Sequence, residues 1–283
     1  MLLIIGALIA TASVLIGYGA HGGNIPLLIQ PLEWLIIFGA AGGAFIIANP
    51  VHVIKGTVTG SLGLLKPSPY SKQMYLDLLS LLFDIFSKAR KEGLMSIEGD
   101  VEEPHSSELF SKYPSVMKDH HAVDFITDYL RFMVGGNMNT FELENLMDAE
   151  LESHHHEAEQ PSHALNSVAD ALPGYGIIAA VLGIVIALGF LDQEVAVVGQ
   201  LVAIALIGTF MGILMGYTYV GPAAQAMAKR VGEQSNFLKT IKVCLIASMN
   251  GYNPQIAIEF GRKVMPGNLR PSFVELEEYI KGR

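Results

Sequence analysis

Long stretches without any charged side chain are the strongest constraint that this sequence places on its fold. Four stretches contain no Asp, Glu, Lys or Arg: residues 1–32, 34–54, 171–191 and 195–228. About 20 apolar residues in a helix cross the ~30 Å hydrocarbon core of a bilayer. The stretches therefore predict four membrane-spanning helices, at residues 2–19, 32–50, 172–190 and 197–221.

The composition agrees with a membrane protein and argues against several other classes. The chain is 51% hydrophobic and only 16% charged, whereas a soluble domain carries about 25% charged residues. Disorder requires low hydrophobicity, which is absent here. The net charge of −9 without a long basic run disfavours nucleic-acid binding. Cys244 is the single cysteine and is expected to be a small buried apolar residue.

The distribution of Lys and Arg predicts how the chain is oriented. The connections 20–31 and 191–196 contain neither residue, whereas segments 51–170 and 223–283 contain nine each. The positive-inside rule therefore places both segments, and the N-terminus, in the cytoplasm. The first stretch lacks the basic region of a secretory signal peptide, so we interpret it as a retained helix.

These observations predict an all-α polytopic membrane protein with four transmembrane helices, a large helical cytoplasmic loop and a cytoplasmic C-terminal tail. The predicted domains are a first hairpin (1–50), the loop (51–170), a second hairpin (171–222) and the tail (223–283).

Helical periodicity, without strand-like alternation, predicts helices at 71–92, 121–134 and 140–158 in the loop. Met74, Leu78, Leu82, Ile85 and Ala89 form one apolar stripe of the first of these. The third is expected to begin at a cap on Asn139 or Thr140. The loop has a net charge of −10 and the tail of +4, so the two either pack together or present separate solvated faces.

The histidines do not predict a metal site. His154, His155 and His156 are consecutive, so at about 100° apart on a helix they cannot all face one ion. His120 and His121 have the same difficulty. We expect surface histidines on an acidic helix, with no metal and no cofactor.

Small residues recur every four positions in the last two spans. Gly208, Gly212 and Gly216 form one ladder, and Ala179, Gly183 and Ala187 form the other. Such ladders allow close backbone approach between membrane helices. They either pack against each other within this chain or form a tight contact with other chains, and two ladders on adjacent helices favour an oligomer.

Two prolines and two polar residues mark the same spans. Pro173 is expected in the first turn of the third span, where proline is readily tolerated. Pro222 either kinks or ends the fourth helix. Thr209 lies inside the fourth span and either bonds its own backbone or faces a polar path, and Tyr217 lies nearer the cytoplasmic end.

The spans offer no ionisable group at depth. Proton relays through membranes use carboxylates or histidines, and the only candidates, Glu33 and His21, are expected at the outer margin. If the chain serves an ion pathway, another chain must supply the ionisable group.

Four segments closely resemble the MotA family of flagellar motor stator subunits, which belongs to the MotA/TolQ/ExbB class. They are FITDYLRFMVGGNMNTFELENLMDAEL (125–151), LPGYGIIAAVLGIVIALG (172–189), IGTFMGILMGYTYVGP (207–222) and NGYNPQIAIEFGRK (250–263). The resemblance covers nearly the whole chain, including RPSFVELEEYI (270–280). It implies a protein that is not an enzyme.

The resemblance also implies partners and residue roles. Chains of this family form a ring, a pentamer in known cases, around a MotB dimer whose aspartate carries the ion. Arg90 and Glu98 match positions that contact the rotor switch protein FliG. Pro173 and Pro222 match a pair that couples protonation to the cytoplasmic part, and Thr209 matches a position lining the ion path.

The driving ion is expected to be the proton. Sodium needs several oxygen ligands, and sodium-type relatives carry a hydroxyl in the third span. Residues 176–189 contain no Ser or Thr, and Ala179 and Ala180 occupy the matching region. Three alternatives remain: a sodium-driven stator, a TolQ/ExbB-type energiser, which usually has three spans, and a transporter, which usually has intramembrane polar groups.

Overall fold

The computed structural model describes residues 2–136 and 139–282, and these residues form helices and connections without a β-strand. Four helices are long and apolar enough to cross a membrane. They are α1 (Leu2–Ala20), α2 (Pro31–Ala48), a segment of α9 (Thr140–Leu188), and a segment of the helical run that starts with α10 (Val195–Leu214). The four predicted spans are thereby confirmed.

The remaining helices are mostly amphipathic or short. They are α3 (Val51–Gly63), α4 (Lys72–Glu92), α5 (Glu98–Glu102), α6 (Glu108–Ser111), α7 (Pro114–Met117), α8 (His120–Gly135), α11 (Gly221–Met249), α12 (Pro254–Val264) and α13 (Phe273–Lys281). The predicted loop helices at 71–92 and 121–134 correspond closely to α4 and α8. The Asn139 side chain accepts a hydrogen bond from the backbone N–H of Glu142 and caps α9 as expected.

One prediction about a helix boundary is wrong, and the structure decides between the two alternatives for Pro222. The helix expected at 140–158 does not stop there but continues as α9 to Leu188, so Pro173 lies inside a helix and not in its first turn. Pro222 does not end the fourth helix either, because α10 passes through a π-helical turn, Met215–Val220, into α11. A wider turn releases a carbonyl from the ordinary ladder, which accommodates a proline that lacks a backbone N–H.

The chain divides into two compact units. The membrane unit comprises residues 2–67 and 158–229, and the loop–tail unit comprises residues 68–157 and 230–282. The boundaries fall inside α9 and α11, so each of these helices contributes to both units.

The membrane unit has a small core made of small and branched residues. Ile37 and Ala41 of α2 pack with Leu172 and Ala179 of α9. Most of the large apolar side chains in this unit are exposed, and Ile47, for example, is 89% exposed. An apolar exterior of this kind suits a lipid environment, in which helices associate through close packing and not through exclusion of water.

The loop–tail unit has a conventional hydrophobic core. Its largest fully buried side chains include Tyr75, Tyr113, Tyr129, Phe110 and Phe237. Four residues of the predicted apolar stripe on α4 are buried, and Ala89 packs against the same core. Cys244 is fully buried, as expected, and its burial raises the pKa of the thiol to about 12.

Loop and tail pack together within this unit, which decides between the two alternatives for their opposite charges. The Lys242 ammonium on α11 lies 2.6 Å from Asp148 and 3.7 Å from Glu144 on α9. The Lys72 ammonium lies 2.7 Å from Glu275 on α13. Asp77 of α4 accepts hydrogen bonds from the hydroxyls of Ser115 and Tyr279.

Candidate functional site: the α9–α10 seam

The two ladders of small residues face each other within this chain. A Cβ placed on Gly212 would lie 2.5 Å from the carbonyl oxygen of Leu172, and one on Gly176 would lie 2.7 Å from the carbonyl oxygen of Gly208. We call this contact the α9–α10 seam; its members are Gly176, Ala179, Ala180 and Gly183 on one side and Ala205, Gly208, Gly212 and Gly216 on the other. Of the two alternatives, the structure therefore shows the first: the two ladders pack against each other within this chain.

The seam is close-packed along its whole length. At one end, Gly183 packs against Ala205, and a Cβ on Gly183 would lie 2.7 Å from the methyl group of Ala205. At the other end, a Cβ on Gly216 would lie 2.6 Å from the carbonyl oxygen of Ala169 and 3.2 Å from Cδ of Pro173. Glycine is required at such positions because any side chain would enter the backbone of the facing helix.

The structure brings Pro173 next to the π-helical turn. Gly216 is the second residue of that turn and packs directly on the Pro173 ring. Pro222 lies just beyond the turn and is exposed. The two prolines therefore flank the same irregular segment of helix. The sequence contains no signal for a π-helical turn, so this arrangement could not be predicted from it.

Thr209 and Tyr217 occupy different environments. The Thr209 side chain is half-buried, and its Cα would lie 3.2 Å from a Cβ on Gly176. Tyr217 is 63% exposed. The neighbouring Tyr219 hydroxyl lies 2.8 Å from the Thr11 hydroxyl on α1, which ties the π-helical turn to the first helix.

Glu33 was expected at the outer margin, but it packs against Gly208, in the second half of α10. It belongs to the first turn of α2, is only 8% exposed, and its Oε2 has no hydrogen-bond partner among the described residues. A Cβ on Gly208 would lie 3.0 Å from this oxygen. The carboxyl therefore reaches the seam beside Ala179 and Ala180, the region predicted for the ion path.

The reason is that the connection between α1 and α2 does not lie beside the start of α10. Leu27 and Leu28 of the connection line a cavity of about 290 Å³ together with Ala203 and Ile207, in the middle of α10. Glu33 lies in the first turn of its own helix, which is why the sequence alone predicts a position at the outer margin. Only the tertiary packing shows that the start of α2 lies beside the middle of α10.

Arg90 and Glu98 are exposed on the loop–tail unit. Arg90 lies in the last turn of α4 and Glu98 begins α5. The ion pair between Lys88 and Asp100, with 2.7 Å between Nζ and Oδ2, joins the same two helices. Arg90 also borders an open groove of about 580 Å³ lined by aromatic residues such as Phe132 and Tyr252.

The histidines are less exposed than expected. His154 and His155 are half-buried, and the His154 ring packs against His121 with 5.1 Å between ring centroids. Burial and the neighbouring His121 lower the pKa of His154. His155 Nδ1 lies 2.8 Å from the Ser235 hydroxyl. Residues 2–136 and 139–282 contain no group of three or more side chains arranged to hold a metal ion.

The sequence matches two family models, which together cover most of the chain. Residues 4–93 match the motility protein A N-terminal model, and residues 118–240 match that of the MotA/TolQ/ExbB proton channel family. Motility protein A of Escherichia coli is 46% identical over 99% of this chain and 95% of its own length. The chain belongs to the motility protein A family.

Further relatives agree with this assignment. Motility protein A of Salmonella typhimurium is 45% identical over 99% of this chain and 95% of its own length. The structure of MotAB from C. jejuni superposes with a TM-score of 0.78 at 18% identity, covering 95% of this chain and 98% of that chain. The likeness to the MotAB structure shows a shared fold.

Proposed function

We propose that this chain is a stator subunit of a flagellar motor that forms a proton channel with a MotB-like partner and converts proton flow into torque. Membership of the motility protein A family carries this proposal. The spanning segments of α9 and α10 support it, since residues 172–188 and 195–214 contain no Asp, Glu or His. An aspartate of the partner supplies the ion-carrying group.

The proton is the driving ion. A sodium site needs several oxygen ligands, and on the α9 side of the seam the relevant positions are Ala179 and Ala180. Thr209 is the hydroxyl on the α10 side and lines the path. A sodium-driven stator is tested directly by exchanging the ions in the medium.

The energy of one proton is enough to change helix packing. A proton crossing about 150 mV releases roughly 3.5 kcal/mol, and a shift of a few kcal/mol resets a two-state equilibrium. Protonation of the partner's carboxylate removes a charge whose placement at depth costs about 2.5–3.5 kcal/mol. The partner helix then repacks on the α9–α10 pair, and Pro173 and Pro222 pass the change through the π-helical turn.

The chain is a multi-pass protein of the bacterial inner membrane, with both termini in the cytoplasm. The first hairpin (1–50) and the second hairpin (171–222) span the membrane, and the loop (51–170) and tail (223–283) are cytoplasmic. The exposed apolar side chains of α9 include Ile177, Val181 and Val185. They face lipid, the partner or neighbouring copies of this chain. The copies form a ring, a pentamer around a partner dimer.

Arg90 and Glu98 contact the rotor switch protein FliG. Both are exposed, and the Lys88–Asp100 ion pair fixes the helices that carry them. Charge reversal at both positions together is expected to impair swimming while the complex still assembles. Normal swimming of the double variant would refute this assignment.

The main experiment uses the complete complex. Co-expression with a MotB-like chain is expected to yield a stable complex, and replacing the partner's aspartate by asparagine is expected to abolish proton flux and motility while assembly survives. Exchange of sodium for potassium is expected to leave motility unchanged. Swimming without the partner's carboxylate would overturn the mechanism.

A further inference from the structure

The seam contains a titratable side chain that the proposed mechanism does not use. Glu33 is more than nine-tenths buried, and its Oε2 lacks a hydrogen-bond partner among the described residues. Gly208 provides the space for it, since a methyl group there would lie 3.0 Å from Oε2 and 3.0 Å from the Ala179 methyl group.

Glu33 also lies deep relative to the helices that it contacts. Gly208 is the 14th residue of α10, which places it about 20 Å along the helix at 1.5 Å per residue. Ala180, whose backbone nitrogen would lie 3.3 Å from a Cβ on Gly208, is two turns from the end of α9. The carboxyl is therefore well inside the membrane unit.

No opposite charge compensates this carboxyl from the helices that pack on it. Residues 172–188 of α9 and 195–214 of α10 contain neither Lys nor Arg, and Tyr175 is their single titratable side chain. The rest of α2 contains no charged residue. An ionised carboxylate at such a place is unfavourable, so burial favours the neutral carboxylic acid form of Glu33.

A neutral acid beside the ion path can exchange its proton without leaving a lasting charge. We propose that Glu33 is a proton relay that loads the ion-carrying carboxylate of the partner chain. The O–H bond of Glu33 breaks, the proton passes to the partner's carboxylate, and the carboxylate left on Glu33 takes the next proton from hydronium at the outer side. This inference rests on the proposed proton flow.

The variant Glu33→Gln separates a relay from a structural role. The amide has the same shape and still donates hydrogen bonds, but it cannot carry a proton. In liposomes containing the full complex, we expect E33Q to lower proton flux several-fold and to change its dependence on external pH. We expect E33D to restore part of the flux.

The matched control is Glu194→Gln, which removes an exposed carboxylate from the connection before α10. It is expected to leave the flux and its pH profile unchanged. Complex recovery is measured for every variant. If E33Q assembles and retains the wild-type flux and pH profile, the relay is refuted.

A measurement on the unmodified complex covers the case in which E33Q does not assemble. An apolar carbodiimide reacts with protonated carboxyls in apolar surroundings, so we expect it to modify Glu33, more slowly at higher pH, and to spare Glu194. Peptide mass mapping identifies the modified residue. An unreactive Glu33 in an intact complex would overturn the inference.

The partner's aspartate-to-asparagine variant distinguishes failure of the relay from failure of the proposed function. Persistent flux in that variant refutes the proposed function whatever the behaviour of E33Q. Loss of flux there, together with wild-type flux in E33Q, refutes the relay and leaves the proposed function standing.

Discussion

The two units of this chain are held together in different ways. The loop–tail unit buries large side chains such as Tyr75, Phe110 and Phe237, so exclusion of apolar surface from water stabilises it. The membrane unit exposes most of its large apolar residues and packs glycine against backbone along the α9–α10 seam. In the first unit stability depends on large buried side chains, and in the second it depends on residues small enough for helix backbones to pack directly against each other.

The largest expected effect comes from removing a large side chain of the loop–tail core. Leu82 is fully buried, so Leu82→Ala is expected to destabilise the unit by about 2–5 kcal/mol through lost transfer energy and the cavity that remains. Leu206→Ala, at a position 58% exposed in the membrane unit, is the control and is expected to change stability by about 0.5 kcal/mol or less. Thermal unfolding of the purified complex measures both, and equal shifts would contradict the comparison.

The converse change adds one methyl group to the seam. Gly212→Ala places a Cβ 2.5 Å from the Leu172 carbonyl oxygen and is expected to cost about 1–3 kcal/mol through overpacking. Gly199→Ala lies on the same helix with no atom within 4 Å of the new Cβ. We expect normal membrane levels and motility for the Gly199 variant and reduced levels for the Gly212 variant; the comparison breaks if the two behave alike.

A smaller effect concerns helix capping. In the loop–tail unit, the Ser272 hydroxyl accepts a hydrogen bond from the backbone N–H of Glu275 and caps α13, so Ser272→Ala is expected to cost about 1 kcal/mol. In the membrane unit, Glu194 precedes α10 without such a bond. Glu194→Ala should therefore leave thermal unfolding unchanged, and a loss as large as that of the Ser272 variant would show that membrane helices here need polar caps too.

The smallest expected effect is a pH dependence of the loop–tail unit. Burial and His121 lower the pKa of His154 below its ordinary value of 6.5, against the opposing effects of Asp119, Glu157 and Glu150. The folded unit therefore binds this proton less readily than the unfolded chain does. The contribution of neutral His154 to stability is complete above the ordinary pKa and is lost as the pH falls below it.

Replacing His154 by Gln is accordingly expected to reduce the loss of thermal stability between about pH 7 and pH 5. His156→Gln removes an exposed imidazole from the same helix and serves as the control. An unchanged acid-side slope in the His154 variant would exclude this residue as a source of the pH dependence.

Much of the fold follows from the sequence because its signals are local. Charge-free stretches located the four spans, and the stripe from Met74 to Ala89 located α4 and its buried face. The continuation of α9 through Pro173 could not be predicted in this way. A proline usually interrupts a helix, and tertiary contacts such as that between Pro173 and Gly216 override the local preference.

The candidate site was predictable only in part. The periodicity of Gly208, Gly212 and Gly216 identified a close contact between helices, but the partner in that contact became visible only in three dimensions. The contact between Glu33 and Gly208 was not predictable, because it depends on how α2 packs against α10. Pro173, Pro222 and Thr209 stood out as irregular or polar residues of the spans, whereas no pattern in the residues marks Arg90 and Glu98. The specific roles of all five came from the family resemblance and stay predictions.

The loop–tail unit is assembled from two separate lengths of chain, and this has a consequence for biosynthesis. The 72 residues from 158 to 229 separate its halves, and a ribosome adding about 5–20 residues per second takes roughly 4–14 s to make them. The tail residues that pair with the loop are made later still: Lys242, which lies beside Asp148, and Tyr279, which donates a hydrogen bond to Asp77. Newly made loop segments therefore lack the tail residues that cover their apolar faces until the second length of chain has been made.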